Sequence, residues 1–237
     1  MEKDNIKELI ERAEAGDAAA QNELGFMYRN EGKKFYEQAV EMFEKAAAQE
    51  DAESQYQLGE MYYCGEGVKQ DYAKAFDLFM KVFEQKGEWC LDAASMLGNM
   101  YYYGNYVEQD YKKAFDWYEK AADDGDGDVF AVYMVGYMYY HGEGVEQNYE
   151  KAFEWLTKEN MKDWDDAQSL LGFMYYFGKG VEQNYEKAFE LLEKAASKGE
   201  AIAQMLLGQM YLNGDGVKKD KEKGKILIEK GLGQIKS

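Results

Sequence analysis

Side chains able to do covalent or metal chemistry are scarce in this sequence. It carries two cysteines, Cys64 and Cys90, and one histidine, His141. A structural zinc site usually takes four Cys or His ligands, so no such centre can be assembled from these three. No Ser-His-Asp or Cys-His arrangement can be argued around the single imidazole, which stands at the end of an aromatic run. A packing or groove role suits His141 better than general-base work. The turns GEGV, GKGV and GDGV superficially look like phosphate-binding glycine loops, but those follow a strand, and here a helical pattern precedes each one. The run DDGDGD, Asp123 to Asp128, holds four carboxylates. Counted from Asp124, a calcium-binding EF-hand loop needs Gly sixth and Glu twelfth, where this chain has Val129 and Val135. A solvated acidic loop is the expectation. No enzyme activity, metal or cofactor is therefore expected. What the chain has in abundance is aromatic surface: 21 Tyr, 12 Phe and 4 Trp. The chemistry that such a set supports is recognition, because aromatic rings supply contact area and anchoring at low entropic cost.

The elements that must position these rings recur along the chain. A Leu-Gly or Val-Gly pair followed by aromatics appears as LGFMY, LGEMYYCGEGV, LGNMYYYGNYV, VGYMYYHGEGV, LGFMYYFGKGV and LGQMYLNGDGV. The glycines of these pairs are Gly25, Gly59, Gly98, Gly136, Gly172 and Gly208, spaced by 34, 39, 38, 36 and 36 residues. A period in this range means helix pairs stacked into a solenoid, each unit too small to bury its own apolar face. In the fifth repeat, Ala167, Leu171, Met174 and Tyr175 follow helical spacing. Gly178 stops that helix. A second helix begins near Tyr185 and runs through Ala188, Phe189, Leu192 and Ala195 to Gly199. The connection is too short for any arrangement but antiparallel neighbours. The expected fold is all-α: about six helix-turn-helix repeats with capping helices at the ends. The expected divisions are a cap at 1–16 and repeats near 17–49, 50–87, 88–126, 127–161, 162–198 and 199–237, all in one repeat domain.

Two cross-repeat details bear on packing. Ala20, Ala93, Ala131, Ala167 and Ala203 share one position, with Ser54 as the exception, which predicts close helix approach. The glycine of each Leu-Gly pair lies inside a helix at a cost of up to about 1 kcal/mol relative to alanine, and close contact should offset it. Tyr62, Tyr101, Tyr139, Tyr175 and Tyr211 read as buried repeat core. Gly224, Gly231 and Gly233 read as weakening the last helix. Equivalent helices run parallel in such a stack, so Cys64 and Cys90, at opposite helix ends, should lie beyond the reach of a disulfide.

Acidic residues number 46 and basic residues 28, a formal net charge of −18. Phosphate-backbone ligands need a basic footprint, so direct nucleic-acid binding is not expected. An anionic field favours a basic or neutral partner. No apolar run approaches the ~18 residues that span a bilayer. The start, MEKDNIKELIERAEAGD, is charged and amphipathic, without a signal-peptide core, so no membrane insertion and a cytoplasmic location are expected.

The pattern LGxMYYxGxGVxQxYxKAFxxxxKAA, clearest at Leu171 to Ala196, resembles the Sel-one-like repeat (SLR) family, a relative of the tetratricopeptide repeat. The resemblance covers roughly residues 10 to 233. It implies a right-handed α-solenoid and a scaffold or adaptor role in protein complexes. Two repeats depart from the pattern: the first in its turn (RNEGKKFYEQAV) and the fourth after its second helix (TKENMKDWDD). Some secreted members carry a cysteine pair in each repeat, and this chain does not.

Set Leu171 at the centre of the buried face and advance 100° per residue. Ser169, Phe173, Tyr176 and Phe177 then fall between roughly 140° and 240°, opposite the core stripe. Equivalent positions hold Tyr133, Tyr137, Tyr140 and His141 in the fourth repeat, Ser95, Asn99, Tyr102 and Tyr103 in the third, and Tyr56, Glu60, Tyr63 and Cys64 in the second. These positions vary between repeats while the buried ones do not. In solenoids of this kind the first helices line the concave side. The candidate partner-binding residues are therefore Tyr63, Asn99, Tyr102, Tyr103, Tyr133, Tyr137, Tyr140, His141, Phe173, Tyr176 and Phe177. The gap from the second-helix tyrosine to the next Leu or Val is 22 residues as a rule, but 25 from Tyr72 and 24 from Tyr111. The extra residues bring in Trp89 and Phe130, at one edge of the stack. The function expected is a scaffold or adaptor that binds a peptide or protein segment in an aromatic, acidic concave groove. The alternative is an acidic inhibitor or decoy that blocks a basic, nucleic-acid-binding surface of another protein.

Overall fold

The computed structural model describes residues 3–123 and 127–235. Among these residues there are 13 α-helices and no strand. Residues 124–126 of the DDGDGD run lie outside the described residues, and with them the question of an ion there. The chain forms two compact units, Met1–Ala121 and Ala122–Ser237.

The first unit is built from α1 (Lys3–Glu14), α2 (Ala18–Glu31), α3 (Tyr36–Ala47), α4 (Ala52–Cys64), α5 (Tyr72–Gln85), α6 (Cys90–Tyr103) and α7 (Tyr111–Ala122). Helix α1 buries Leu9 and Ala13 against Ala20 and Leu24 of α2, covering the first repeat. The core then runs through Phe43, Met61, Phe79, Leu97 and Met100. Asp17, Asp51 and Asp71 each cap a helix, their side chains accepting from the backbone N–H of Ala20, Ser54 and Lys74. Gly65 ends α4 in the left-handed conformation, and its N–H donates to Met61 O at 2.8 Å. The glutamine after the turn, in GVKQ of the second repeat and YVEQ of the third, has a purpose that the pattern alone does not disclose. Gln70 Nε2 donates to Tyr63 O at 2.8 Å and Gln109 Nε2 to Tyr102 O at 2.8 Å, satisfying a carbonyl left open at the helix end.

The helix-interior glycines face the second helix of their own repeat. A methyl group on Gly98 would sit 2.7 Å from the ring of Tyr118, which is fully buried. Gly25 meets Phe43 and Gly59 meets Phe79 in the same way, so each ring occupies the space that a side chain would take. The third repeat replaces its second turn glycine with Tyr106, held at φ 70° and 60% exposed. The left-handed region disfavours a β-carbon, so this turn carries local strain.

The second unit comprises α8 (Val129–His141), α9 (Tyr149–Leu156), α10 (Asp165–Phe177), α11 (Tyr185–Ser197), α12 (Ala201–Asn213) and α13 (Lys221–Ile235). Asp128, Asn148, Asn184 and Asp220 cap helices of this unit, their side chains accepting from the backbone N–H of Ala131, Lys151, Lys187 and Lys223. Helix α9 stops after eight residues. The divergent TKENMKDWDD segment then forms a 3₁₀ turn, Glu159–Met161, and buries Met161. Gly136 faces Leu156 and Gly172 faces Leu192. In the last pair a methyl group on Gly208 would lie 2.7 Å from Gly224 O, and one on Gly231 would lie 2.5 Å from Ala201 O. Gly224 and Gly231 therefore admit backbone contact between α12 and α13, which corrects the expectation that they only weaken the helix; Gly233 faces open space.

A second correction concerns the tyrosine core. Tyr62, Tyr139 and Tyr211 are buried, whereas Tyr101 and Tyr175 are half-buried. The lysine of the KAF motif lies over these rings, with Lys113 Nζ 5.3 Å from the Tyr101 centroid and Lys187 Nζ 5.1 Å from that of Tyr175. An ammonium stays in water, and it covers the outer edge of each ring.

Candidate functional site

In the second unit the first helices of successive repeats, α8, α10 and α12, line a groove of about 480 Å³. Helix α8 contributes Tyr133, Tyr137, Tyr140 and His141, one helical face read at steps of three and four residues. Helix α10 contributes Asp166, Ser169, Leu170 and Phe173, and Glu200 and Ile202 come from the start of α12. The groove thus gathers five of the predicted residues: Tyr133, Tyr137, Tyr140, His141 and Phe173. The rings support one another. Tyr137 lies 4.2 Å from His141 and 5.9 Å from Tyr133, centroid to centroid, and Phe173 stacks on Phe177 at 6.1 Å. Tyr140 meets Tyr149 edge-on at 5.2 Å, and burial pushes its phenol up. The four tyrosine and phenylalanine rings on the groove wall are half-buried, and Ile202 is exposed.

Two carboxyls were missed by the aromatic pattern because they sit at the other end of the helices. Asp166 lies in the first turn of α10, and Glu200 immediately precedes α12. Burial pushes the Glu200 carboxyl up, reinforced by its hydrogen bond with Asp166 and by the negative charge there. Ser169 Oγ donates to Glu200 Oε2 at 3.3 Å and opposes that shift. Ser169 is buried, so it supports the groove floor rather than presenting a free hydroxyl.

The other predicted residues have different surroundings. Tyr176 donates from its hydroxyl to Asp215 Oδ2 at 2.8 Å, joining α10 to the turn of the next repeat. Burial and that acceptor push its phenol up to about 12. Phe177 is 51% exposed beside it. In the first unit, Tyr63 makes the equivalent bond, accepting from Asn105 Nδ2 at 2.8 Å. Arg29, at the same repeat position, bonds Glu66 at 3.0 Å. This position is thus a staple between repeats, and the covarying turn residue is the signal that could have revealed it. Asn99 Oδ1 accepts from the buried Tyr118 hydroxyl at 2.8 Å. Tyr102 packs against Tyr111 at 5.1 Å and Tyr103 at 5.0 Å, and Tyr103 is 60% exposed. Trp89 lies 5.2 Å from Tyr56, and Trp164 lies 6.3 Å from Tyr133, so a tryptophan from the loop ahead of the next helix covers the same repeat position in each unit.

Cys64 and Cys90 are free thiols. Among the described residues no group of three or more His, Cys, Asp or Glu could hold a metal ion, and no helix is long and apolar enough to cross a membrane.

Comparison with known proteins follows the same repeats. A family model described as the Sel1 repeat matches residues 18–51, 52–81, 91–126, 129–158, 165–200 and 201–232. A protective antigen of uropathogenic Escherichia coli strains, displaying an SLR fold, is 34% identical with a TM-score of 0.82. The match covers 97% of this chain and 48% of that one, so this chain spans about half the length of that protein. A Sel1 repeat protein from Oxalobacter formigenes is 30% identical over 93% of this chain and 89% of its own, with a TM-score of 0.78. An immunity protein from Pseudomonas aeruginosa shares the fold at 22% identity and a TM-score of 0.50, over 84% of this chain and 74% of that one. Sel1 repeat proteins are in general non-catalytic scaffolds for protein–protein interaction. With six repeats matched and its helix pairs folded as in these structures, the chain belongs to the Sel1 repeat family.

Proposed function

We propose that this chain is a protein-binding scaffold that holds a segment of a partner in the groove of its second unit. The observation that carries this reading is the convergence of Tyr133, Tyr137, Tyr140, His141 and Phe173 on one groove. The equivalent position to Phe173 and Tyr137 holds Phe26 in the first repeat, Glu60 in the second, Asn99 in the third and Gln209 in the sixth, so the fourth and fifth are the one adjacent pair of repeats that both place a ring there. Half-buried rings in a groove lose little entropy on binding and offer broad apolar area, as interface anchors do. The free thiols suit a reducing compartment, and the cytoplasm is the location that this reading takes.

Hydrogen exchange tests it. Peptides selected from a random displayed library against the full chain should slow amide exchange in α8 and α10. Protection confined to other helices would refute the groove. The acidic inhibitor reading rests on the net charge of −18. It predicts binding to a basic protein surface that weakens steeply with salt and is indifferent to Tyr137 and Phe173.

A further inference from the structure

We infer that the groove of the second unit takes an arginine side chain projected by a partner protein, its guanidinium lying against the rings of Tyr137 and Phe173 and bonded to the carboxylates of Asp166 and Glu200. This deepens the protein-binding reading and rests on it.

The groove walls are aromatic, and its only charged side chains among the described residues, apart from the titratable His141, are these two carboxylates. They are neighbours, close enough to share a hydrogen bond. Among the described ion pairs neither has a cation, since Lys198, the nearest lysine in sequence to Glu200, is paired with Asp165 instead. Glu200 is half-buried and Asp166 is exposed beside it, and the repulsion between the two carboxylates helps to hold the Glu200 carboxyl above its ordinary range. A cation placed between them removes the repulsion. The surrounding rings choose among cations. A guanidinium is planar, sheds water more readily than an ammonium, stacks on aromatic faces and bonds two oxygen acceptors at once. The chain already uses this chemistry in its first unit. There Arg29 bonds Gln57, reaches Glu60 at 3.0 Å and reaches Glu66 at 3.0 Å. That site is closed by its own arginine. In the second unit the positions equivalent to Arg29, Glu60 and Glu66 hold Tyr140, Phe173 and Lys179, and the groove's two carboxylates come instead from the starts of α10 and α12, with no arginine in that unit's sequence to pair them.

The test uses the full chain and peptides selected from the random library. Arginine should be enriched among binders. A selected peptide with that arginine replaced by citrulline, which keeps the shape and loses the charge, should bind about tenfold more weakly or worse, as expected for a charge-assisted bidentate pair. Glu200→Gln and Asp166→Asn should each weaken the arginine peptide and shrink the difference between it and its citrulline form, with an unchanged far-ultraviolet circular dichroism spectrum and no fall in melting temperature as the fold control. Peptides that need Tyr137 but bind equally with arginine, lysine or citrulline would overturn the arginine pocket and leave the protein-binding reading standing. Absence of any peptide whose binding depends on Tyr137 and Phe173 would overturn both.

Discussion

Tyr137→Ala and Leu192→Ala should separate binding from stability in opposite directions. Leu192 is fully buried and packs against Gly172, where a methyl group would come within 2.7 Å of its Cγ. Truncating Leu192 opens a cavity beside a residue that has no side chain to fill it. The cost should therefore lie in the upper part of the range for such core deletions, about 3–5 kcal/mol. Tyr137 is half-buried. A tyrosine buries roughly 150–250 Å² when enclosed, and Tyr137 keeps only a minority of its surface exposed, so about 100–200 Å² is at stake here. At about 25 cal/mol per Å² this is an upper limit of about 2.5–5 kcal/mol. The rings of His141 and Tyr133, 4.2 and 5.9 Å away, can close over the gap. A loss of about 2 kcal/mol, at or below the low end of that range, follows. For binding the order reverses. A central aromatic anchor is worth about 2 kcal/mol or more, roughly a thirtyfold change in Kd. Urea unfolding gives the stabilities, and calorimetry with a groove-selected peptide, at a temperature where both variants are folded, gives the affinities. Leu192→Ala should bind within about twofold of the parent. Equal loss of affinity in the two variants would show that binding tracks general integrity of the unit, and the groove argument would fail.

Other outcomes follow from single contacts. Gly98→Ala gains up to about 1 kcal/mol of helix propensity but presses on the buried Tyr118 ring, so urea unfolding should show a net loss of about 1–2 kcal/mol. Tyr176→Phe removes the hydroxyl bonded to Asp215 and should cost about 1 kcal/mol, while in the parent this phenol should titrate near 12 by ultraviolet absorbance. The carboxyl of Glu200 is raised in the folded state by burial and by Asp166, with Asp165 adding to the repulsion and Ser169 opposing it. The folded state therefore holds that proton to higher pH than the unfolded chain. Its contribution to stability is greatest below the ordinary glutamate pKa and falls as pH rises through the raised value. Glu200→Gln should flatten that decline and raise the melting temperature at neutral pH. A steeper decline in the variant would reverse the assigned sign.

The repeat architecture was legible because it is local and reiterated. A Leu-Gly or Val-Gly pair followed by aromatics recurs six times, and each repeat forms its helix pair from the same apolar spacing. The aromatic face of α8 was legible for the same reason: Tyr133, Tyr137, Tyr140 and His141 fall on one helical stripe whatever packs beside it.

The facing residues were decided only by the stack. Tyr176 and Tyr63 share that stripe, yet bonds to Asp215 and Asn105, both beyond 35 residues away, turn them into ties between repeats. Tyr101 and Tyr175 lie on the buried stripe, yet in the stack they stay partly exposed, each beside a lysine. Asp166 and Glu200 are 34 positions apart in sequence and on no common helix, so no periodicity could pair them. Helical spacing specifies which side chains share a face; which partner meets that face depends on contacts between helices, and those exist only once the repeats have stacked.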